Sequence, residues 1–200
     1  MSGSRRPADT HAGKRPAALL LTGGASRRMG RDKAALVVPG RDRTLAVATA
    51  ALLLAVADPV FEVGPGHTTL PRIREDPPGR GPLAAMAAGA AGLGPATAAL
   101  VVATDLPHLT APFLRRLAEH PAPTPDHCVI PYDCEGRPQP LCARYSPAAL
   151  ALTAELTAAG FRAMHALLDR VPITPLAAGD DVRDVDTPAD LAALVRPVRR

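Results

Sequence analysis

The sequence predicts a single α/β domain with a mainly parallel β-sheet and helices on both of its faces. Short aliphatic runs alternate with Ala- and Leu-rich segments that are long enough to be helices, and this alternation is typical of βαβ units. The aliphatic runs end at Gly, Pro or Asp residues, as buried strands do. A length of 200 residues suits one domain with a substantial core.

The first half of the chain predicts a regular alternation of strands and helices. Strands are expected over 17–22, 60–63, 72–75 and 98–104, and helices over 45–57, 83–92 and a segment that begins after Thr110 and Pro112. The helix over 45–57 follows Thr44, a residue type that favours the N-cap position. This helix is apolar nearly all round, which predicts that it is buried.

The second half predicts a less regular pattern. Strands are expected over 129–132, 141–145, 171–174 and 182–185, and helices over 146–159, 162–169 and from Thr187 onwards. Thr187 is a favourable N-cap, Pro188 suits the first turn, and Asp190 complements the positive end of the helix dipole. We therefore expect one domain over 17–196, between a disordered leader over 1–16 and a basic tail over 197–200.

Composition and charge narrow the classes of partner. The chain has a formal net charge of +4, but its basic residues are concentrated at the two ends and over 27–43. Aromatic residues make up 2% of the chain and Trp is absent, so there is no stacking platform for single-stranded nucleic acid. The focused positive charge over 27–43 suits a small polyanionic substrate instead.

The cysteines and the apolar stretches predict a cytoplasmic protein. Cys128, Cys134 and Cys142 are odd in number and lack C-x-x-C spacing, which favours reduced thiols over disulfides or zinc ligands. The first residues lack the apolar region of a secretory signal, and the longest apolar stretch, 45–57, is too short to cross a bilayer. We expect neither a nucleic acid nor a membrane among the partners.

The most informative stretch runs from Leu19 to Lys33, where an apolar run ends in Gly23-Gly24 and a cationic loop follows. Glycine lets backbone N–H groups approach an anion closely, because it has no Cβ. The loop then carries four cations that can neutralise such an anion, Arg27, Arg28, Arg31 and Lys33. The stretch therefore predicts a phosphate-binding loop.

Two common phosphate-binding motifs do not match this loop. A Walker A motif requires Lys directly after its last Gly, but Gly30 is followed by Arg31 and Asp32. A dinucleotide fingerprint requires G-x-G-x-x-G, whereas Gly23 and Gly24 are adjacent. A reductase with a dinucleotide cofactor is therefore disfavoured.

Two aspartates are candidate ligands for a divalent metal ion. Asp105 follows the predicted buried strand 98–104, at the kind of strand end where α/β sheets bind ligands. Asp186 is the second candidate, because Mg²⁺ at nucleotide sites is bound by one or two carboxylates plus phosphate oxygens. Each has an alternative role: Asp105 in Asp-x-Pro can cap a turn, and Asp186 can cap the helix that follows it.

The pattern G-G-x-S-x-R-M-G-x-D-K over 23–33 resembles the phosphate loop of the MobA-like nucleotidyltransferases, the family related to molybdenum cofactor guanylyltransferase. Further segments resemble this family in the expected order, namely Glu75-Asp76 with 81–84, Thr104–Pro107, Arg137–Leu141 and Asp184–Leu191. The resemblance covers about residues 17–195. It implies a Rossmann-like, three-layer sheet of the nucleotide-diphospho-sugar-transferase type.

The resemblance implies transfer of GMP from GTP to molybdenum-loaded molybdopterin with release of pyrophosphate. It implies Mg²⁺ as cofactor and, as protein partners, molybdoenzymes or the proteins that insert the cofactor into them. The implied nucleotide-binding residues are Leu21, Thr22, Gly23, Gly24, Ser26, Arg27, Lys33, Asp76 and Asp105. The implied catalytic residues are Arg28, Lys33 and Asp105, and the implied metal ligands are Asp105 and Asp186. Arg162 is a candidate for the acceptor phosphate, with an exposed helix-start arginine as the equal alternative.

The chain departs from the family pattern near the expected base-binding end. Thr22 replaces the Ala of a Leu-Ala-Gly-Gly opening, and the family's nucleotide-contacting Asn falls near Gly64. The resemblance implies that Leu21, Thr22 and Gly23 hold guanine and ribose through backbone contacts, so these departures leave the choice of base open. The alternatives are a cytidylyl- or adenylyltransferase with another phosphorylated acceptor, and a nucleotide-binding regulatory module without turnover.

Overall fold

The computed structural model describes residues 15–23, 33–37, 42–94 and 97–183. Seven strands form one sheet, in the order β3-β2-β1-β4-β6-β5-β7. The strands are β1 (Ala17–Leu21), β2 (Val60–Val63), β3 (Arg72–Ile73), β4 (Ala99–Ala103), β5 (Cys128–Tyr132), β6 (Cys142–Tyr145) and β7 (Ile173–Ala177).

The sheet is mainly parallel, as the sequence predicts. The pairs β1–β2, β1–β4, β2–β3 and β5–β7 are parallel. The strand β6 runs antiparallel to both of its neighbours, β4 and β5. All described strands except β6 therefore end at the same edge of the sheet.

Five α-helices connect and cover the strands within the described ranges. They are α1 (Leu45–Leu54), α2 (Pro82–Ala91), α3 (Ala111–Glu119), α4 (Pro147–Ala158) and α5 (His165–Leu168). The hydroxyl groups of Thr44, Thr110 and Ser146 accept N–H bonds from the first turns of α1, α3 and α4. Such caps satisfy N–H groups that have no partner inside the helix, which is why these helix starts agree with the predicted ones.

The core lies on both faces of the sheet. In β1, Ala18 and Leu20 pack in the cluster that α1 and α3 cover, whereas Leu19 and Leu21 pack in the cluster that α2, α4 and α5 cover. Side chains alternate along a strand, so a strand that is aliphatic at every position fills both clusters. This arrangement confirms the predicted three layers.

Several predicted bounds of local structure are wrong. The strands expected over 72–75 and 171–174 are Arg72–Ile73 and Ile173–Ala177, and the helix expected over 162–169 is His165–Leu168. The helix expected over 45–57 ends at Leu54, and Leu54 and Val47 are 53% and 36% exposed. One face of α1 packs on the sheet, and among the described residues no further layer covers the other face. The strand expected over 182–185 does not form at its described residues, since Val182 belongs to a 3-10 helix, Gly179–Val182, and Arg183 caps that helix. Residues 184 and 185 lie outside the described ranges. The preceding segment has already paired with β5 as β7, and a left-handed Gly179 (φ +58°) turns the chain away.

Several predicted segments lie outside the described residues. These are the leader over 1–16 except for residues 15 and 16, the helix from Thr187 onwards and the basic tail over 197–200. None of the helices that the structure describes combines the length and the apolar character that a membrane span requires.

Candidate active site

The described candidate residues gather along what we name the carboxyl edge, the edge of the sheet where β1, β2, β3 and β4 end. Thr22 and Gly23 follow β1, Gly64 follows β2, and Glu75 follows β3 by two residues. Asp105 lies two residues after the end of β4. In open α/β sheets, this edge is where ligands bind.

The register of β1 and β4 makes Gly23 and Asp105 neighbours. The two strands are adjacent, and Leu21 pairs with Ala103. Gly23 and Asp105 each come two residues after that pair, so both lie at the carboxyl edge, after the ends of adjacent strands. Gly23 is exposed and Asp105 is half-buried. The start of the predicted phosphate loop and the predicted metal ligand thus follow adjacent strands at the same edge of the sheet.

The backbone of Lys33 also lies towards this edge. Lys33–Ala35 is a 3-10 helix before α1, and the N–H of Leu45 donates to the carbonyl of Leu36 at 2.8 Å. The far end of α1 lies at the opposite edge of the sheet, where the N–H of Asp58 donates to the carbonyl of Pro16. A helix of 10 residues spans about 15 Å, so its first residues are near the carboxyl edge. The side chain of Lys33 is outside the description.

A buried carboxylate, Glu62, organises the end of β2. Its side chain is 0% exposed. Oε1 accepts bonds from the Thr22 hydroxyl (2.7 Å) and the N–H groups of Gly66 (3.0 Å) and His67 (2.6 Å). Oε2 accepts from the N–H (2.8 Å) and the hydroxyl (2.7 Å) of Thr68. Burial alone would raise the pKa of Glu62, but these hydrogen bonds outweigh it and hold the pKa below its ordinary value.

Thr22 and Gly64, the two positions that depart from the family pattern, are in contact. A Cβ on Gly64 would overlap Thr22 Oγ1 and lie 2.8 Å from the backbone nitrogen of Gly23. Only glycine fits this approach. The N–H of Thr22 donates to the carbonyl of Val63 at 3.0 Å, so the hydroxyl and the N–H of Thr22 are both used inside the protein.

A second carboxylate, Glu75, lies over Gly23. A Cβ on Gly23 would lie 2.7 Å from Glu75 Oε1, and Oε2 accepts a longer bond from the N–H of Gly79 (3.3 Å). Burial raises the pKa of Glu75, and the bond from Gly79 offsets this only in part. Asp76, the predicted nucleotide-binding residue, is next in the chain and is exposed.

The family-like segment 137–141 reaches the carboxyl edge beside β4. The N–H of Ala103 donates to the carbonyl of Leu141 at 2.7 Å. The Asp133 carboxylate shapes the preceding turn by accepting bonds from the N–H and Nε of Arg137 and from the Gln139 side chain. The N–H of Arg137 is the main reason that the pKa of Asp133 lies below its ordinary value.

Arg162 lies at the same edge, beside the start of α2. A Cβ on Gly81 would lie 3.1 Å from the carbonyl oxygen of Arg162, and α2 begins with the next residue, Pro82. The side chain of Arg162 is exposed. This location suits a role in acceptor binding, and Arg162 in that role stays a prediction.

Other predicted site residues lie outside the described ranges, namely Gly24, Ser26, Arg27, Arg28 and Asp186. Within the ranges that are described, no three His, Cys, Asp or Glu residues are grouped so that they could hold a metal ion. Asp105 is the predicted ligand that the structure does place. Its carboxylate is a hard oxygen donor, which fits Mg²⁺ when phosphate oxygens supply further ligands.

The sequence motifs do not predict the contacts of Glu62, and they assign no role to Glu75. A signal for Glu62 was present, because it is the charged member of the short apolar run Val60–Val63. A carboxylate in a run that is predicted to be buried requires hydrogen-bond donors nearby. The segment that follows supplies them from Gly66, His67 and Thr68.

The sequence is similar to a known family and to named relatives. The sequence model of the MobA-like NTP transferase domain matches residues 18–171. A probable molybdenum cofactor guanylyltransferase from Mycobacterium marinum is 36% identical over 190 residues, which span 90% of this chain and 94% of that protein.

Two solved structures share the fold. Molybdopterin-guanine dinucleotide biosynthesis protein A from Archaeoglobus fulgidus aligns with a TM-score of 0.66 and 20% identity, over 89% of this chain and 96% of that one. The 2-C-methyl-D-erythritol 4-phosphate cytidylyltransferase from Thermus thermophilus aligns with a TM-score of 0.64 and 19% identity, over 88% and 95%. At these identities the structures establish the architecture alone, and a nucleotidyltransferase fold is common to both.

Proposed function

Because the chain belongs to the family of MobA-like NTP transferase domains, we propose that it transfers GMP from GTP to molybdenum-loaded molybdopterin. The products are the guanine dinucleotide form of the cofactor and pyrophosphate. The Mycobacterium marinum relative is a probable molybdenum cofactor guanylyltransferase, and we extend that activity to this chain. The substrates are GTP and a molybdopterin-type phosphorylated acceptor, and the place of action is the cytoplasm.

One observation supports the proposal: Gly23 and Asp105 follow the paired ends of the adjacent parallel strands β1 and β4. A nucleotide whose phosphates follow the predicted loop from Gly23 would have its α-phosphate near the Asp105 carboxylate. The family-like segments at Glu75-Asp76 and 137–141 reach the same edge. Distant parts of the sequence therefore converge on one site.

The reaction joins two anions, so the protein must supply positive charge that offsets their repulsion. An oxygen of the acceptor's terminal phosphate attacks the α-phosphorus of GTP, and the bond between that phosphorus and the oxygen leading to the β-phosphate breaks. The departing pyrophosphate takes the electron pair. The attacking oxygen is already ionised at neutral pH, so no strong general base is needed. Each like-charge pair at roughly 4 Å costs about 4 kcal/mol at an effective dielectric near 20.

Cationic residues of the phosphate loop are proposed to offset this repulsion. Lys33 and Arg27 would bind the triphosphate, and Arg28 would stabilise the negative charge that collects on pyrophosphate as it leaves. Arg162, exposed beside the start of α2, would bind the acceptor's phosphate. These roles rest on the family resemblance and on the shared carboxyl edge.

Asp105, with Asp186 as second ligand, is proposed to hold Mg²⁺. When bound there, the ion neutralises charge on the phosphates of the nucleotide. The carboxylate of Asp105 fits this role because it is half-buried beside the exposed Gly23, where solvent screening of its charge is reduced. The finished cofactor would then pass to molybdoenzymes or to proteins that insert it.

Product analysis tests the proposal. The purified chain is incubated with Mg²⁺ and molybdenum-loaded molybdopterin and with GTP, CTP or ATP in separate reactions, and the products are identified by mass. We expect the guanine dinucleotide and pyrophosphate with GTP, and much less product with CTP or ATP. A cytidine or adenine dinucleotide as main product would show the related transferase instead. Nucleotide binding without turnover would show a regulatory module.

A further inference from the structure

We infer that Glu62 is a positioning residue of the nucleotide site, which fixes Thr22 and the loop Gly64–Thr68 against the end of β1. This loop is named the 64–68 loop below. Glu62 itself touches no reacting atom in this account. Its link to the nucleotide rests on the proposed function, whereas its hold on the loop rests on the hydrogen bonds alone.

The Glu62 carboxylate binds donors from two separate parts of the chain. The hydroxyl of Thr22 comes from the end of β1, and the remaining donors come from Gly66, His67 and Thr68. Successive backbone N–H groups that point at one centre form an anion-binding concavity. Here the chain's own carboxylate fills the concavity and thereby fixes the shape of the loop.

Burial makes this arrangement rigid. The side chain of Glu62 is 0% exposed, so water cannot replace a donor that moves away. An ionised carboxylate inside a protein is tolerated only when its oxygens are hydrogen-bonded or paired. Within the part of the chain that the structure describes, the partners of Glu62 are neutral donors. The loop must therefore keep its shape for the carboxylate to stay satisfied.

The Thr22–Gly64 contact links the position of the 64–68 loop to the start of the predicted phosphate loop. Gly64 packs so closely on Thr22 and on the nitrogen of Gly23 that a Cβ cannot fit. A shift of the 64–68 loop would therefore move Gly23, the first residue of the loop that is proposed to bind phosphates. Since the hydroxyl of Thr22 points to Glu62, it serves the loop and is not available to the nucleotide.

Substitutions that keep the size of a side chain can test its hydrogen bonds separately from its packing. In Glu62→Gln, an amide NH₂ replaces one oxygen and must face at least one backbone N–H, which can only donate. Thr22→Val removes the hydroxyl donor at nearly constant volume, and Thr22→Ser retains it. Thr153→Val is a matched control, because Thr153 is also a fully buried threonine and donates to the carbonyl of Leu150 within α4.

The test measures KM for GTP, KM for the acceptor and kcat for each variant. We expect Glu62→Gln to raise KM for GTP about 10-fold and Thr22→Val about 3-fold, with KM for the acceptor and kcat within about 2-fold. Thr22→Ser retains the hydroxyl donor, so its KM for GTP should rise less than that of Thr22→Val. Thr153→Val should lower Tm without changing any kinetic constant. If Glu62→Gln does not fold, the comparison of Thr22→Val with Thr22→Ser tests the same inference.

Hydrogen exchange gives a readout that does not require turnover. We expect the amides of Gly66, His67 and Thr68 to exchange at least about 10-fold faster in Glu62→Gln, while those of α4 keep their protection. Faster exchange with an unchanged KM for GTP would overturn the inference, because the loop would then be fixed without serving the nucleotide. Unchanged exchange would overturn it as well.

The two proposals fail in different ways. If the unmodified chain uses CTP or ATP instead of GTP, the proposed function is wrong, and the same variants measured with the preferred nucleotide still test Glu62. If the chain uses GTP and Glu62→Gln has the same KM, the proposed function stands and the role of Glu62 is wrong. If no nucleotide binds to the unmodified chain, both are wrong.

Discussion

Glu62 and Glu75 are two carboxylates that flank the end of β1, and they differ in how they are bonded. Glu62 contacts Thr22 and accepts several short hydrogen bonds, and it has no exposed surface. Glu75 lies over Gly23, and its carboxylate accepts the bond from Gly79 at 3.3 Å. The two residues come from neighbouring strand ends and face Thr22 and Gly23, the two residues that directly follow β1.

This difference shows that burial alone does not decide the charge of a carboxylate. Burial acts in the same direction on both, yet the pKa of Glu62 is lowered and that of Glu75 is raised, because only Glu62 has enough donors. An ionised carboxylate has about four acceptor positions. Glu62 uses its positions to fix a loop, whereas Glu75 keeps acceptor capacity beside the predicted phosphate loop.

The largest effect is expected at Asp105, a third carboxylate of the same edge. Asp105→Ala should reduce GMP transfer at least about 100-fold, because charge on the phosphates would no longer be balanced beside Gly23. Tm should change by less than about 4 °C, since Asp105 is only half-buried. Rates of product formation and a thermal melt measure the two quantities.

The matched control is Asp105→Asn, which retains the shape and the capacity to cap a turn. If the carboxylate charge is what matters, Asn should be nearly as inactive as Ala. Recovery of activity in Asp105→Asn would instead assign Asp105 to the turn, as the alternative for its Asp-x-Pro sequence states.

A smaller loss of activity is expected at Lys33, whose positive charge is opposite to that of Asp105. Lys33→Ala should raise KM for the nucleotide about 10-fold and also lower kcat, since the triphosphate is bound in both the ground state and the transition state. Lys33→Arg keeps the charge and should recover part of the loss. Unchanged steady-state kinetics in Lys33→Ala would remove Lys33 from the site.

The free energies of unfolding of Glu62→Gln and Glu75→Gln test the difference between the two carboxylates. Glu62→Gln should lower the free energy of unfolding by about 1–3 kcal/mol, since it leaves buried donors without an acceptor. Glu75→Gln should leave this free energy unchanged or raise it, because it removes a poorly solvated charge while keeping an acceptor for Gly79. Urea denaturation at neutral pH measures both. Equal losses from the two variants would contradict the comparison.

The smallest effects are expected in the pH dependence of stability, and they have opposite signs. Glu62, with a folded pKa below 4.5, contributes stability that is present above pH 4.5 and is lost as the pH falls through the folded pKa. Glu75, with a folded pKa above 4.5, contributes stability that is present below pH 4.5 and is lost as the pH rises through the folded pKa.

Each Gln variant should remove the pH dependence of stability that comes from the carboxylate it replaces. Urea denaturation of the unmodified chain, Glu62→Gln and Glu75→Gln at several pH values below neutrality measures these parts. We expect a weaker acid-dependent loss of stability in Glu62→Gln, and a weaker decline above pH 4.5 in Glu75→Gln. Two profiles that change in the same direction would show that the pKa values of the two carboxylates are shifted alike.

The sequence predicts most of the fold because its signals are local. Strands such as Ala17–Leu21 are aliphatic at every position and fill two core clusters, and caps such as Thr44 and Ser146 mark helix starts. The prediction fails where tertiary context decides. The outer face of α1 is apolar but uncovered, and Val182 cannot join a strand because a turn at Gly179 intervenes.

The site is predictable only in part, for a similar reason. Gly23 and Asp105 could be placed together because both follow strands of one parallel sheet. The contacts of Glu62 with Thr22 and of Glu75 with Gly23 join residues that are about 40 to 50 positions apart. No periodicity or short motif encodes such side-chain contacts. In the sequence, Thr22 and Gly64 are therefore two separate departures from the family pattern, although the two residues touch in the structure.

Following the phosphates of GTP shows whether the chain transfers a nucleotide at the edge of the sheet where Gly23 and Asp105 lie. The chain is incubated with Mg²⁺, molybdenum-loaded molybdopterin and GTP that is radiolabelled at either its α- or its γ-phosphate. The account predicts that the α-label enters the dinucleotide product, that the γ-label appears in pyrophosphate, and that Asp105→Asn abolishes both. Release of the γ-label as inorganic phosphate, with no α-label in the acceptor, would contradict it.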